Sequence, residues 1–332
     1  MPSRLTPIPT TELTDFRFGH WTDRAGATGC TVIVAPAGAA AGVDVRGGAP
    51  ASRETDLLRP ENTVDAIHAV CLSGGSAFGL EAASGVAREL EARGIGLDVG
   101  PTVVPIVCSS CLFDLAFGDA HARPGVEAGI AATRTALDEE SAPLAEGTVG
   151  AGTGATVGKL TGAETAMKGG LGARALALGG LKVAAISAVN ACGNVVDPAT
   201  GAVIAGMRSE PDAYTIVSME DAMIASADTM AMPLDRTNTT ISCIVTNARL
   251  TKAQATKVAQ MAADAYAHTI RPTHTTNDGD TIYVMASGTA ESDYPLDLVG
   301  LVATRALEAA ICEGCRAADG ICGLPAYRDL AH

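Results

Sequence analysis

The chain has 332 residues, of which 47% are hydrophobic and 18% are charged, so disorder as the main state is excluded. Asp and Glu number 37 against 23 Lys and Arg, and the net charge of −14 argues against a nucleic-acid or anionic-membrane partner. The start, MPSRLTPIPTTELTDF, has no apolar signal-peptide core, and no run of about 18 apolar residues follows. We therefore expect a cytoplasmic protein with one large α/β domain or two smaller domains.

Strand and helix signals alternate along the chain, which predicts an α/β layered domain. The predicted strands and strand-like apolar runs are residues 31–35, 66–72, 103–108, 182–189, 194–197, 239–246 and 281–286, and the predicted helices are residues 78–93, 126–137, 250–268 and 296–318. Residues 209–238 lack clean periodicity and contain two prolines and several methionines, so they are predicted to be a connector without a regular element.

The chain has nine cysteines, and four of them form two C-x-x-C pairs, Cys108 with Cys111 and Cys312 with Cys315. The two pairs would make a zinc site if the fold brought them together. The alternative is buried free thiols, which behave as small hydrophobes. The surrounding apolar sequence favours the second interpretation, and we expect no metal or cofactor.

A Gly-rich loop, GTVGAGTGATVG, covers residues 147–158. The P-loop pattern fails because Thr153 and Leu160 stand where Gly and Ser or Thr are required. The loop also fits a loose dinucleotide fingerprint, but no acidic residue follows at the expected distance of about 20 residues. The remaining interpretations are a loop whose bare backbone lines a small-molecule cleft, with Gly152 and Gly154 against the substrate, or a simple turn.

The junction between Asn238 and Thr239 is the first candidate for chemistry. An irregular polar connector ends at Asn238, and a strand begins at once with a hydroxyl residue. Self-cleaving hydrolases attack the preceding carbonyl with such a hydroxyl, and cleavage frees an α-amine with a pKa of about 8 that serves as a base. The alternative is an ordinary Thr-rich strand start.

The segment HTTNDGDT, residues 274–281, is the second candidate. Asp278 and Asp280 flank Gly279 just before a predicted strand. The two carboxylates are suited to orient a base, to hold a substrate amine or to cap a turn. The spacing of a calcium loop is absent.

Six segments in one order resemble the L-aminopeptidase/D-esterase family of self-cleaving N-terminal-nucleophile hydrolases. This family includes β-peptidyl aminopeptidases and the nylon-oligomer endohydrolase. The similarity runs from about residue 29 to residue 327. The segments are RGGAPASRETDLL (46–58), LSGGSAFGLEAASGV (72–86), VGAGTGATVGKL (149–160), AVNACGNVVDP (188–198), NTTISCIVTNARLTKAQ (238–254) and RPTHTTNDGDT (271–281).

The resemblance implies a fold and a mode of processing. The expected fold is a single four-layer αββα sandwich covering residues 1–332. The chain would cleave itself between Asn238 and Thr239 into an α chain of residues 1–238 and a β chain of residues 239–332. Relatives assemble as tetramers or larger oligomers, so a homo-oligomer is expected.

The resemblance also assigns site residues position by position. Thr239 matches the nucleophile that becomes the new N-terminus. Lys159 matches a lysine that would lower the pKa of the new α-amine. Asn190 matches the asparagine whose amide helps to stabilise the oxyanion. Asp278 and Asp280 match the positions that orient the amine and hydroxyl of the nucleophile.

Two assignments are less direct. Lys168 is a second candidate for the active-site lysine. Phe113, a candidate substrate-binding residue, stands where the nylon-oligomer hydrolase has a tyrosine, so the substrate of that enzyme does not transfer directly.

The expected activity is hydrolysis of amide or ester bonds in short amino-acid-derived substrates through an acyl-enzyme on Thr239. One alternative is a nylon-type hydrolase of ω-amino-acid oligomers. Another is acyl transfer of the ornithine acetyltransferase type, although the ATML-like junction of those enzymes is replaced here by RTNTTIS. A non-enzymatic binding protein with a decayed site is the third.

Overall fold

Two β-sheets form the centre of the molecule in the computed structural model, which describes residues 4–138, 143–227 and 238–330. The strands in chain order are β1 (Thr6–Ile8), β2 (Arg17–Asp23), β3 (Thr28–Val45), β4 (Ser52–Arg53), β5 (Ile67–Ser73), β6 (Leu97–Asp98), β7 (Val103–Val104), β8 (Val107–Cys111), β9 (Thr156–Val157), β10 (Met167–Lys168), β11 (Gly170–Leu178), β12 (Leu181–Asn190), β13 (Asn194–Val196), β14 (Val203–Ala205), β15 (Thr239–Thr246), β16 (Ile270–Arg271) and β17 (Thr281–Ala286). The α-helices are α1 (Ala82–Ala92), α2 (Val126–Asp138), α3 (Met219–Ala225), α4 (Lys252–Ala262), α5 (Asp264–Thr269) and α6 (Leu296–Arg316).

The long strand β3 connects the two sheets. Its C-terminal half completes the first sheet, in the order β1-β11-β12-β15-β17-β3, and its N-terminal half pairs with β2 and β5 in the second sheet, which continues to β8 and β4. The pairing of β3 with β5 changes register between Val34 and Ala39. Pro36 removes a ladder donor there, and Gly38 adopts a φ of 79°, a conformation that glycine accepts without strain. The strand therefore passes from one sheet to the other at this point.

Three apolar clusters separate four layers. One cluster lies between the first sheet and helices α4, α5 and α6, and includes Val183, Ile244 and Leu307. A second lies between the two sheets and includes Ile186 and Tyr283. A third packs α1 and α2 against the outer face of the second sheet. This arrangement is the αββα sandwich that the sequence resemblance implied.

Strongly patterned elements were predicted better than short or small-residue ones. Residues 239–246 and 281–286 form β15 and β17 with the predicted bounds. The predicted strand 103–108 is divided, because Pro105 cannot donate to a ladder. The predicted helix 250–268 is two helices, α4 and α5, and the predicted helix 78–93 begins with a 3₁₀ turn before α1.

The connector prediction for residues 209–238 was wrong within its described part. Helix α3 forms there, and the Ser218 side chain caps it by accepting a hydrogen bond from the Asp221 N–H. Residues 228–237 of the same segment lie outside the described residues. Strands β2 and β11 had no prediction, since the alanines and glycines of β11 carry little strand signal.

The two C-x-x-C pairs lie in different layers. Cys108 belongs to the core between the sheets, whereas Cys312 and Cys315 pack between α6 and the first sheet. All nine thiols are free. Within residues 4–138, 143–227 and 238–330, no group of three or more His, Cys, Asp or Glu side chains is arranged to hold a metal ion. In that same part of the chain, no helix is both long and apolar enough to cross a membrane.

The Tyr283 hydroxyl provides a test of the packing between the sheets. It lies 2.8 Å from the Ser110 hydroxyl and donates to the Ser109 carbonyl oxygen over 3.0 Å, which links β17 in one sheet to β8 in the other. We expect Tyr283→Phe to lower the free energy of unfolding by about 1–3 kcal/mol, because buried partners lose a hydrogen bond. Urea denaturation measures this. The exposed Tyr214 offers the matched control Tyr214→Phe, with an expected change within about 0.5 kcal/mol. Equal effects of the two substitutions would contradict the prediction.

Candidate active site

The predicted cleavage junction lies at the end of the core between the two sheets. Thr239 is the first residue of β15 and pairs in register with Asn190, the last residue of β12. Because side chains alternate along a strand, Thr239 shares its face with Ile241 and Asn190 shares its face with Ala188, and both apolar residues belong to this core. Thr239 and Asn190 are themselves buried. Two predicted site residues therefore lie opposite each other on one strand pair.

A peptide bond joins Asn238 to Thr239 in the structure. The Thr239 hydroxyl donates a hydrogen bond to the Asn238 carbonyl oxygen, which belongs to the peptide bond between the two residues. The Gly279 N–H donates to the same oxygen over 3.2 Å. The hydroxyl is thus held in contact with the carbonyl group that it would attack in self-cleavage.

Hydrogen bonds fix the orientation of the Asn190 amide. Its Oδ1 accepts from Lys159 Nζ over 2.8 Å and from the Thr156 N–H over 3.0 Å. Its Nδ2 donates to the Phe113 carbonyl oxygen over 2.9 Å. Because donors surround one end of the amide and an acceptor meets the other, oxygen and nitrogen are unambiguously assigned.

Lys159 directly follows the Gly-rich loop, and its side chain extends from the C-terminal end of that loop to Asn190. Gly158 adopts a φ of 76°, and a Cβ there would lie 2.1 Å from the Met207 nitrogen, so only glycine allows this turn. Burial lowers the pKa of the Lys159 amine to about 7, and nearby acidic groups, Asp278 among them, only partly oppose the shift. A large share of the Lys159 amine is therefore neutral near physiological pH.

The acid pair lies beside the junction on the neighbouring strand. Asn238 forms a parallel bridge with Asp278, directly before the parallel pair β15 and β17. The Asp278 carboxylate accepts from the Thr275 N–H over 2.6 Å. Burial, and then the charge of Asp280, raise the pKa of Asp278 to about 6. Both carboxylates are buried next to the nucleophile candidate.

Asp280 holds the peptide group that follows Thr239. Its Oδ1 accepts from the Thr240 N–H over 2.8 Å, and its Oδ2 lies 2.8 Å from His274 Nδ1. The Tyr266 ring stacks on the His274 ring with centroids 5.4 Å apart, and the Tyr266 hydroxyl donates to the Thr240 carbonyl oxygen over 3.0 Å. His274 and Tyr266 were not predicted as site residues. His274 stood in the motif that carried Asp278 and Asp280, whereas no sequence signal marked Tyr266.

The segment RGGA explains one block of the sequence resemblance. The N–H groups of Arg46, Gly48 and Ala49 donate to carbonyl oxygens of the acid-pair loop, residues 275–280, over 3.0, 3.2 and 2.8 Å. A Cβ on Gly47 would lie 2.3 Å from the Asp278 carbonyl oxygen. The two glycines therefore allow a backbone contact that fixes the acid-pair loop.

Lys168, the second candidate lysine, occupies a different place. Its amine is fully buried and donates to the carbonyl oxygens of Gly152, Thr153 and Ala155 over 3.4, 2.9 and 2.5 Å. Burial lowers its pKa to about 7. Lys168 thus holds the Gly-rich loop, and Lys159 is the lysine that contacts Asn190.

Of the three predicted substrate-binding residues, Gly152 and Gly154 are buried and Phe113 is half-buried. A Cβ on Gly152 would lie 2.1 Å from the Leu171 nitrogen, and a Cβ on Gly154 would lie 2.3 Å from the Ala27 carbonyl oxygen. Close backbone packing therefore accounts for both glycines. Phe113 contributes its carbonyl oxygen to Asn190. A role of these three residues in substrate binding stays a prediction.

Comparison with solved structures defines the class of protein. The chain aligns with L-aminopeptidase D-Ala-esterase/amidase from Ochrobactrum anthropi, described as a variant of the N-terminal-nucleophile hydrolase fold, at a TM-score of 0.66 and 18% identity over 95% of this chain and 90% of that one. It aligns with a Burkholderia sp. β-aminopeptidase at a TM-score of 0.65 and 20% identity, over 96% and 90% of the two chains. The protein has an N-terminal-nucleophile hydrolase fold.

The chain belongs to Peptidase family S58, whose profile it matches over residues 10–326. It is 41% identical over 319 residues to an uncharacterized aminopeptidase of Mycobacterium leprae, covering 91% of this chain and 86% of that protein. It is 34% identical over 273 residues to the 6-aminohexanoate-oligomer endohydrolase of a Kocuria strain, covering 81% and 72%. The family resemblance found in the sequence is confirmed, and the protein is an aminopeptidase-like hydrolase.

The two buried amines give a measurable prediction. With five lysines in the chain, ¹³Cε labelling should yield a spectrum simple enough to titrate. We expect two lysine signals with a pKa of about 7, one lost in Lys159→Met and the other in Lys168→Met. In the urea-denatured chain these signals should titrate at about 10.4. A folded protein with no lysine signal titrating between about pH 6 and 8 would contradict the burial argument.

Proposed function

We propose that the protein is a self-processing N-terminal-nucleophile amidohydrolase with Thr239 as its nucleophile. The observation that supports this best is the Thr239 hydroxyl in contact with the carbonyl oxygen of the preceding residue, at the buried start of a core strand. An ordinary Thr-rich strand start does not account for the lysine, the amide and the two carboxylates gathered around it.

Self-cleavage comes first in the proposed sequence. The Thr239 hydroxyl attacks the Asn238 carbonyl carbon, the peptide bond is replaced by an ester, and water hydrolyses the ester. The products are chains 1–238 and 239–332, and the second begins with a free α-amine. Two neighbouring ammonium groups repel each other, so the protonated fraction of Lys159 lowers the pKa of the new α-amine and favours its basic form.

Turnover uses the same hydroxyl. The α-amine accepts the hydroxyl proton while Thr239 attacks the substrate carbonyl, and the acyl-enzyme is then hydrolysed. Asn190 Nδ2 is the proposed side-chain donor to the oxyanion, since hydrogen bonds to the other end of its amide fix its direction. Asp280, which already holds the Thr240 N–H, orients the N-terminal residue of the cleaved chain.

The proposed substrates are short peptides and amino-acid amides or esters with a free amine near the scissile bond. The buried carboxyl groups of Asp278 and Asp280 supply the acceptors that an amine needs. Hydrolysis of ω-amino-acid oligomers is the second candidate, because one relative with 34% identity is named a 6-aminohexanoate-oligomer endohydrolase.

Self-cleavage is tested by following the intact mass of freshly purified chains. We expect the unmodified protein to convert into fragments of 238 and 94 residues. Thr239→Ala should stay full-length, and Thr239→Ser should cleave in part because it keeps the hydroxyl. Thr240→Val is the matched control. Its hydroxyl is buried without a hydrogen-bond partner among the described residues, and it lies on the opposite face from Thr239, so cleavage should continue. Cleavage of Thr239→Ala would refute the nucleophile assignment.

The substrate class is tested by a screen for released amine against α-, β- and ω-amino amides, with Thr239→Ala as the blank. We expect turnover of at least one class to depend on Thr239.

Lys159→Met should lower kcat/KM by about 10²-fold, in the range typical of a lost proton-transfer or charge effect. Lys182→Met, at the opposite end of β12 from Asn190, should stay within about twofold. A separate assay with an acetyl donor and ornithine tests the transferase alternative. Acyl transfer to ornithine without hydrolysis would support that alternative.

A further inference from the structure

We propose that the backbone N–H of Gly279 is the oxyanion donor for self-cleavage. This inference rests on the proposed function, and it names a group in the reaction that the sequence resemblance does not assign. Gly279 stands between Asp278 and Asp280, where only the two acidic side chains had suggested chemistry.

The geometry already connects this N–H to the bond that breaks. Gly279 N lies 3.2 Å from the Asn238 carbonyl oxygen, with the N–H directed at it. The contact belongs to the parallel bridge between Asn238 and Asp278, so it continues the pairing of β15 with β17 and is not an isolated loop contact. The donor therefore lies directly before β17, at the end of a core strand pair.

The chemistry requires a donor that persists through the reaction. When the Thr239 oxygen attacks, the new C–O bond forms at the Asn238 carbonyl carbon, and the carbonyl π electrons move to its oxygen. The hydroxyl proton is transferred to the Thr239 nitrogen, directly or through solvent, and the C–N bond then breaks with that nitrogen as the leaving amine. The hydroxyl ceases to be a donor as it reacts. The Gly279 N–H is not consumed and stays directed at the oxygen that carries the negative charge.

A relay of hydrogen bonds strengthens this donor. The peptide unit between Asp278 and Gly279 accepts from the Ala49 N–H at its carbonyl oxygen over 2.8 Å, and it donates from its nitrogen to Asn238. Hydrogen bonds in such a chain polarise one another, so the bond from Ala49 makes the Gly279 N–H more positive. The same bond holds the peptide plane in place, so the donor needs no reorientation when charge develops.

The absence of a side chain at Gly279 has a steric cause. A Cβ there would lie 2.8 Å from Thr239 Oγ1 and 3.0 Å from the Ala49 carbonyl oxygen. Gly279→Ala would keep the N–H but displace the nucleophile. A side-chain substitution therefore cannot isolate the role of the N–H, whereas replacing the amide by an ester removes the N–H and adds no atom.

The test introduces glycolic acid at position 279 of the full chain, which exchanges the N–H for an oxygen. The matched control is glycolic acid at position 48, where the lost N–H donates to the Thr275 carbonyl oxygen of the same loop over 3.2 Å but lies outside the relay. Intact-mass spectrometry over time gives the cleavage rate and separates cleavage at 238–239 from ester hydrolysis. We expect about a 10²-fold slower cleavage for the 279 ester, as for the loss of one oxyanion donor, and a change within about threefold for the 48 ester.

A third variant keeps the proposal testable if the 279 ester fails to fold. Lactic acid at position 49 removes the Ala49 N–H that polarises the relay, and it should slow cleavage severalfold more than the 48 ester does. Equal rates for the 48 and 49 esters, or a 279 ester that cleaves within threefold of the unmodified chain, would overturn the proposal and leave the proposed function standing. An unmodified chain that never cleaves would overturn the proposed function itself.

Discussion

The site depends on the cost of burying polar groups at the end of an apolar core. Thr239 and Asn190 are paired end residues of β15 and β12, and the next residues on the same face, Ile241 and Ala188, are apolar. A hydroxyl, an amide and two carboxyl groups are stable there only if each has hydrogen-bond partners. Lys159 and Thr156 supply these partners on one side. On the other side, Thr273 and His274, which precede the acid-pair loop, supply them. The requirement that keeps these groups from destabilising the fold also fixes their orientation.

Backbone supplies much of this support, which explains the glycines around the site. The RGGA segment approaches the acid-pair loop closely enough to exchange main-chain hydrogen bonds, and Gly47 would otherwise place a Cβ 2.3 Å from a carbonyl oxygen. Gly279 meets the Thr239 side chain in the same way. The cost of glycine is the greater conformational freedom of the unfolded chain. It is accepted where a side chain would separate the groups that must touch.

How far the sequence predicts the structure depends on how much of the signal is local. The strand at Thr239 has β-branched residues in a short apolar run, and its bounds were predicted correctly. The junction at Thr239 and the pair Asp278 and Asp280 already stood out in the local sequence. The four-layer arrangement and the roles of Lys159 and Asn190 came from family resemblance, because no local pattern places Lys159 beside Asn190. Tyr266 had no signal, since it reaches the site from a helix and acts through a backbone carbonyl. The donor at Gly279 is a main-chain group and leaves no trace in residue type.

Burial shifts the two ends of the site in opposite directions. Asp278 has a pKa of about 6 in the folded chain against 3.8 for an exposed group, so the unfolded chain loses this proton first, and folding stability decreases as the pH rises between these values. Lys159 has a pKa of about 7 against 10.5, so the unfolded chain holds this proton longer, and stability increases as the pH rises from 7 to 10.5. Both groups oppose folding in their charged forms. The chemistry proposed at Thr239 accounts for keeping Lys159 and Asp278 in the core despite this cost to stability, whereas Lys168, buried in the same way, holds the Gly-rich loop.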